Sequence, residues 1–208
     1  MKNNTSKKFW DRSARIYDRY MREQAALYDQ IYRLMYLRFH PNMEVLELAA
    51  GTGLIALQIA KYVKSVEATD FSEKMLAVAR SKPLPQNVRF CTQDATCLTY
   101  PDQCFDAIII SNALHIMPHP EKALAEIHRV LKDDGLLIAP NFTHKGLSFF
   151  SRLKASVAKL FGFGVFSVWS PQEYIAYIKN HGFQVQYSCV LKASFPLTYV
   201  EASKQADA

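Results

Sequence analysis

Between Met43 and Ala139 short apolar runs alternate with helix-spaced segments, and this alternation narrows the fold more than any other feature of the chain. Met43–Leu48, Ser65–Thr69, Val88–Thr92, Phe105–Ser111 and Leu136–Ala139 have the length and make-up of strands. Leu54–Val63, Ser72–Ser81 and Glu121–Leu131 carry apolar residues at helical spacing, with Ser72 placed to cap its helix and Asp133-Asp134-Gly135 placed to stop the third. Ile108-Ile109-Ile110 has no polar side to offer solvent, so it belongs to an interior strand covered on both faces. Strand and helix in turn over this length predict an α/β fold, a doubly wound sheet with mostly parallel strands.

The flanks read differently. In residues 1–40 Trp10, Tyr17, Tyr20, Met21, Tyr28, Ile31 and Met35 recur at steps of three, four and seven, with Arg12, Arg15, Arg19 and Arg22 largely off that face, until Pro41-Asn42 ends the pattern. Phe149, Phe150, Leu153, Val157, Leu160 and Phe161 likewise share one helical face of a later segment, against Lys145, Arg152, Lys154 and Lys159. Ser170-Pro171 opens a helix that Gly182 closes, and Phe183–Val190 with Phe195–Ala202 form a closing pair of strands. The expected organisation is therefore one domain over 1–208. It has a helical lid at 1–40, a ligand-binding core at 41–142, an amphipathic insert at 143–170, and a closing helix with two strands at 171–204.

Some classes of protein are argued against. No apolar stretch approaches the roughly 18 residues of a spanning helix, and Met1–Lys8 has no apolar run behind it to make a signal peptide. The four cysteines include no Cys-x-x-Cys pair, and no histidine stands at metal-ligand spacing from them, so no metal site is expected and they read as small buried hydrophobes. The expected setting is cytoplasmic, with peripheral membrane contact as its variant. The net charge of +6 is unevenly spread. Residues 1–40 hold nine basic and four acidic side chains, and residues 135–172 hold four basic and none acidic. The excess thus sits on the two proposed lids, which suits an anionic or membrane-associated partner better than a nucleic acid.

In an open parallel sheet, ligands bind beyond the carboxyl ends of the strands, where strand order reverses. The first such end is Val45-Leu46-Glu47-Leu48-Ala49-Ala50-Gly51-Thr52-Gly53, in which Gly51 and Gly53 permit a tight turn and a close approach to backbone N–H groups. Nineteen residues after Gly51, at the end of the second strand, Asp70 can take both hydroxyls of a ribose. A nucleoside ligand follows. Gly51-x-Gly53-x-x-Ala56 also satisfies the dinucleotide fingerprint, so a nicotinamide oxidoreductase competes, as does a non-catalytic adenosyl-binding module. Against NAD stand Glu47, whose charge a diphosphate would meet, the absence of a Tyr-x-x-x-Lys pair, and Asp94, an acceptor for an exocyclic amine such as adenine's.

Val45–Gly53, Glu67–Ser72, Gln93-Asp94-Ala95 and Phe105–His115, in this order and spacing, resemble the successive motifs of the class I S-adenosylmethionine-dependent methyltransferases. The resemblance implies a Rossmann-like seven-stranded sheet with an antiparallel last strand, S-adenosylmethionine as cofactor and S-adenosylhomocysteine as product. It assigns Glu47 and the Ala49–Gly53 backbone to the methionyl part and ribose, and Asp70 to the ribose hydroxyls. Phe71 and Met75 would lie against adenine, Asp94 and Ala95 at its edge, and Ser111, Asn112 and Ala113 beneath the amino group and sulfonium. Ala49 stands where the family has its first glycine, which implies weakened or slightly shifted binding rather than a dead site.

Methyl transfer needs alignment and exclusion of water more than proton chemistry. If a base serves, His115 and Tyr17 are the candidates. The chain lacks an Asn-Pro-Pro-aromatic step, a Pro-Cys nucleophile and an aspartate cluster, which leaves a small, hydrophobic or anionic acceptor. Tyr20, Phe149, Phe150 and Trp169 are candidates to roof it. Phe9-Trp10-Asp11 with Ile16-Tyr17-Asp18 resembles the start of the quinone C-methylase and phospholipid N-methyltransferase relatives, so a membrane-surface lipid or quinone methylase is the alternative. The acceptor atom and the oligomeric state stay open.

Overall fold

The computed structural model describes residues 2–143, 165–192 and 196–206, with side chains from Lys7 onward. Phe149, Phe150 and the rest of the expected amphipathic face lie outside the described residues, as does Phe195. Five strands run parallel: β1 (Glu44–Leu48), β2 (Ser65–Asp70), β3 (Val88–Thr92), β4 (Phe105–Ile110) and β5 (Leu131–Ile138). After β6 (Asn141–Phe142) and β7 (Phe183–Leu191), β8 (Leu197–Lys204) lies antiparallel beside β5, with β7 antiparallel on its outer side. The order is β3-β2-β1-β4-β5-β8, and the short β6 pairs with β8 and brings the sheet to eight strands where seven are expected.

Side-chain alternation along the strands makes two cores. Val45, Val66, Ala107 and Ile109 face one side, where α2 (Ala25–Tyr36), α3 (Leu54–Ile59) and α4 (Glu73–Arg80) cover them with Ile31, Met35, Ile59 and Leu76. Leu46, Leu48, Ile108 and Ile110 face the other, under α5 (Pro120–Val130) and α6 (Pro171–Lys179) with Leu124, Ile127, Tyr174 and Ile178. Ile108, Ile109 and Ile110 are all essentially without solvent contact, as a central strand between two helical layers requires. The predicted caps are formed. Ser72 Oγ accepts from the Met75 N–H, and Ser170 with Glu173 makes a reciprocal capping box at the start of α6.

Three local expectations change. Residues 1–40 make two helices, α1 (Lys2–Arg22) and α2, broken at Glu23-Gln24. Leu27, Ile31 and Met35 must face the sheet while Trp10 and Tyr17 lie over the ends of its strands, and one straight helix cannot serve both surfaces. Asp133-Asp134-Gly135 does not stop α5, because the backbone turns extended at Leu131 and β5 begins there. The three residues instead fall in an irregularity between the Phe105–Leu131 and Ala107–Leu136 pairs. The cysteines are free but none is fully buried, and Cys97 is exposed.

Candidate active site

Strand order reverses between β1 and β4. The chain builds β2 and β3 on one side of β1 and then crosses over to lay β4 on the other. Such a switch point opens a crevice at the carboxyl ends of the strands, because the connections leave in opposite directions. An open cleft lies there, with about 1030 Å³ of empty space counted out to its solvent mouth. Ala49, Gly51, Asp70, Phe71, Met75, Asp94, Ala95, Ser111, Asn112 and Ala113 all line it, so ten of the expected cofactor residues come together from four strand ends. Glu47 lies just behind, in a small adjoining chamber shared with Tyr17, Tyr28, Ala49 and Ser111.

Gly53 is the member that the structure does not bring to the cleft. Its φ is +74°, and a Cβ there would sit 2.6 Å from the Phe90 ring, so glycine is required for the turn and for packing. Gly51 also has a left-handed backbone, with φ +56°, but a Cβ would meet nothing closer than Tyr17 Cε1 at 3.9 Å. Ala49 turns out to be left-handed too, at φ +53°. An L-residue held there costs about 1 kcal/mol, so Ala49→Gly should raise unfolding stability by about that amount, read as a rise in denaturation midpoint with an unchanged denaturant slope. A midpoint that stays or falls would show that the alanine methyl contributes packing that offsets the strain.

Asp70 organises the loop. One of its carboxylate oxygens accepts from the Gly51 N–H at 2.9 Å and the other from the Ser72 N–H at 2.8 Å. Burial, reinforced by the charge of Asp11, pushes its pKa up to about 6 against the pull of those N–H groups. Glu47 is 2% exposed, and burial with the nearby Asp70 pushes it to about 8. Glu47 Oε2 is buried without a hydrogen-bond partner, and Ser111 Oγ and both polar side-chain atoms of Asn112 are buried with only the Tyr28 hydroxyl beside them and no well-formed hydrogen bond. Each orphan costs roughly 1–3 kcal/mol, and a group of them at one strand junction marks a place built for a polar ligand. Asn112 holds φ +52°, a conformation that asparagine tolerates, with its N–H donating to the Pro140 carbonyl.

These features fit S-adenosylmethionine. Asp70 keeps lone pairs for a vicinal diol, and Phe71 and Met75 offer apolar contact for a base. Asp94 uses one oxygen in a local turn with Thr96, and the buried carboxyl of Glu47 suits an ammonium.

The roof was only partly legible in the sequence. Trp10 and Tyr17 of α1 line the cleft, their rings edge-to-face at 6.1 Å. Two acids hold the helix down. Asp11 accepts from Ser72 Oγ at 2.6 Å, and Asp18 accepts from Thr52 Oγ1 and pairs with Lys82 at 2.6 Å. Their seven-residue spacing puts both on one stripe of α1, and that spacing was the available signal. Tyr28, from α2, has its hydroxyl among Asn112, Tyr17 and Ser111, and burial raises its pKa.

The other candidates are placed elsewhere. His115 is 3% exposed, does not line the cleft, and has its Nδ1 2.8 Å from Asn141 Oδ1. Tyr20 is 59% exposed on the outer side of α1. Trp169 packs on Tyr174 and Tyr177 of α6, away from the cleft. Among the described residues no cluster of His, Cys, Asp and Glu could hold a metal ion.

Residues 46–139 match the family model described as "Methyltransferase domain". Over 105 residues the chain is 42% identical to the demethylmenaquinone methyltransferase of Renibacterium salmoninarum, covering 50% of this chain and 43% of that protein. Over 110 residues it is 38% identical to the ubiquinone/menaquinone biosynthesis C-methyltransferase UbiE of Hydrogenovibrio crunogenus, covering 50% and 43% respectively. The chain thus spans under half the length of these curated relatives. The solved DhpI–SAH complex has the same fold, with a TM-score of 0.74, 21% identity, and coverage of 98% of this chain and 97% of that one.

Proposed function

We propose, from the match of residues 46–139 to the methyltransferase family model and the similarity to quinone C-methylases, that this chain is a class I S-adenosylmethionine-dependent methyltransferase and that it methylates a small lipid-soluble ring of the quinol type. One observation carries the reading. The segment that matches the methyltransferase family contributes Glu47, Asp70, Asp94 and Asn112, the polar groups that gather at the switch-point cleft.

When bound, S-adenosylmethionine supplies an electrophilic methyl carbon on a sulfonium, so the protein has mainly to orient a nucleophile and keep water out. Asp70 would hold the ribose, Glu47 and Asn112 the amino-acid end, and Asp94 the adenine edge. Trp10 and Tyr17 close the cleft from above, and with Met117 they give an aromatic acceptor an apolar wall. Tyr17 is the phenol that lines both the cleft and the chamber behind it. Burial holds its pKa far above the ordinary value, so at neutral pH it donates a hydrogen bond and does not remove a proton. His115, tied to Asn141 outside the cleft, is not assigned as a base.

The direct test is transfer of labelled methyl from S-adenosylmethionine to demethylmenaquinol or a polyprenyl hydroquinone, with a phenol, an amine, a thiol and a phospholipid as competing acceptors. Methylation at a quinol ring carbon is the expected result. Transfer only to another acceptor would overturn the quinol assignment, and binding of NAD without binding of S-adenosylhomocysteine would overturn the methyltransferase reading. Tyr17→Phe should lower kcat by about tenfold, the worth of one hydrogen bond in the transition state, without moving the acid limb of the pH profile. A shifted acid limb would make Tyr17 a proton carrier after all.

A further inference from the structure

We propose that the outer face of α1, the roof helix of the cleft, docks on an anionic lipid surface. The helix is sharply divided. Trp10, Ala14, Tyr17 and Met21 turn inward, the first and third lining the cleft and the others buried. On the opposite side Lys8, Arg12, Arg15, Arg19 and Arg22 are all exposed. At 100° per residue they fall, together with Ile16 and Tyr20, within an arc of about 160°. Ile16 is 66% and Tyr20 59% exposed, one turn apart and flanked by the arginines.

The charge on this face is not neutralised. Among the described residues none of those five cations makes an ion pair, whereas Lys64, Arg80, Lys82, Arg129 and Lys132 elsewhere all do. The two acids within the middle of the helix, Asp11 and Asp18, are turned inward and occupied by Ser72, Thr52 and Lys82. Glu23, at the far end, is the acid nearest the outer face.

Charge complementarity therefore calls for an anionic partner, and the exposed apolar pair decides which kind. A lipid interface takes cations at its phosphates and apolar side chains just beneath them, whereas a nucleic-acid backbone would leave Ile16 in water. A second copy of the chain would bring the same cations together. Residues 135–172, with four basic side chains and no acid, would also be repelled from this face. The inference deepens the reading of a lipid-soluble acceptor, since it sets the roof of the cleft against the phase in which such a molecule dissolves. The docking itself rests on the unpaired cations of α1 and on the exposed Ile16 and Tyr20 beside them.

The test is flotation of the full chain with vesicles of phosphatidylcholine alone, or of phosphatidylcholine and phosphatidylglycerol in equal parts. The wild type should float only with the anionic vesicles and be released by high salt. Each cation removed should weaken binding about five-fold, so Arg12→Gln/Arg15→Gln/Arg19→Gln should bind about a hundredfold more weakly. Ile16→Ser should weaken binding to anionic vesicles while leaving the salt dependence intact. All these side chains are exposed and outside the cleft, so S-adenosylhomocysteine affinity, read by calorimetry, should stay at the wild-type value in every variant and certifies that each is folded. Equal flotation with both kinds of vesicle, or undiminished flotation of the triple variant, would overturn the proposal. So would retardation of a nucleic-acid duplex by a wild-type protein that does not float. Turnover of a short-chain, water-soluble quinol separates the two readings: its presence without flotation overturns only the docking surface, and flotation without turnover overturns only the acceptor.

Discussion

Asp70→Ala is expected to raise the dissociation constant of S-adenosylhomocysteine at least a hundredfold in titration calorimetry. The carboxylate does two things at once. It accepts the N–H groups of Gly51 and Ser72, which fixes the first glycine turn relative to the start of α4, and it faces the cleft, where ribose hydroxyls would be taken. Hydrogen bonds to a charged acceptor are worth about 1.5–3 kcal/mol each, so losing two ligand bonds alone accounts for two to four decades of affinity by the same scale. Stability should fall as well, because two backbone donors lose their acceptor. Asp70→Asn separates the contributions, since its amide oxygen keeps one acceptor without the charge. Its affinity should lie between those of the alanine variant and the wild type, with only part of the stability recovered, because its amide nitrogen faces one of the two backbone N–H groups. A dissociation constant within threefold of wild type in Asp70→Ala would remove Asp70 from the site.

Glu47→Gln is expected to act in opposite directions on stability and on binding. Burial holds the Glu47 carboxyl near pKa 8, against an ordinary value of 4.5, so the native chain binds more protons than the unfolded chain throughout that interval. Stability therefore falls as pH rises through the window from 4.5 to 8, and the deficit is complete above it. Asp70, raised from 3.8 to about 6, adds the same sign at lower pH. Several kcal/mol are at stake for a shift of this size, which corresponds to roughly 10 °C in a chain of this length. The unliganded wild type should lose melting temperature between about pH 6.5 and 8.5, where Asp70 is already largely ionised, and Glu47→Gln should lose little.

Binding shows the reverse preference. An ammonium beside Glu47 would favour its ionised form, so at pH 7 ligand binding should expel close to one proton. That proton appears as a difference in binding enthalpy between two buffers of unlike ionisation heat. The glutamine variant should bind more weakly by tenfold or more and release no proton. A wild-type enthalpy that is the same in both buffers would separate Glu47 from the ligand's cation.

How much of this is legible in the sequence depends on how local the cause is. Ser72 and Ser170 cap their helices as their positions predict, because a cap is decided within four residues. Ile108–Ile110 is interior because no neighbouring residue supplies a polar face. Asp70 and Asp94 are in the cleft because one ends β2 and the other comes two residues after β3, and in a parallel sheet all such ends open on the same edge. Gly53 shows where local reasoning stops. It belongs to the motif, yet its role is set by Phe90, 37 residues away, whose ring leaves no room for a side chain. His115 stands two residues beyond Ala113, the last of the strand-end residues that face the cleft, and is held out of it with Nδ1 against Asn141 of β6. Trp169 is an aromatic residue of the expected lid, but Tyr174 and Tyr177 give it a surface to pack on.

The sequence by itself determined the layered α/β fold, the switch-point edge and the acids that stand there, since periodicity and strand-end position are properties of short segments. Tertiary structure alone decided that the N-terminal forty residues bend at Glu23-Gln24 into a sheet-covering helix and a roof. It also decided that Asp11 and Asp18 pin that roof to Ser72, Thr52 and Lys82, and that Tyr20, with Ile16, joins the outward-facing arginines of α1. The physical reason is the same in each case. Which face of a helix is inside depends on partners distant in the chain, and a helical pattern records only that its faces differ.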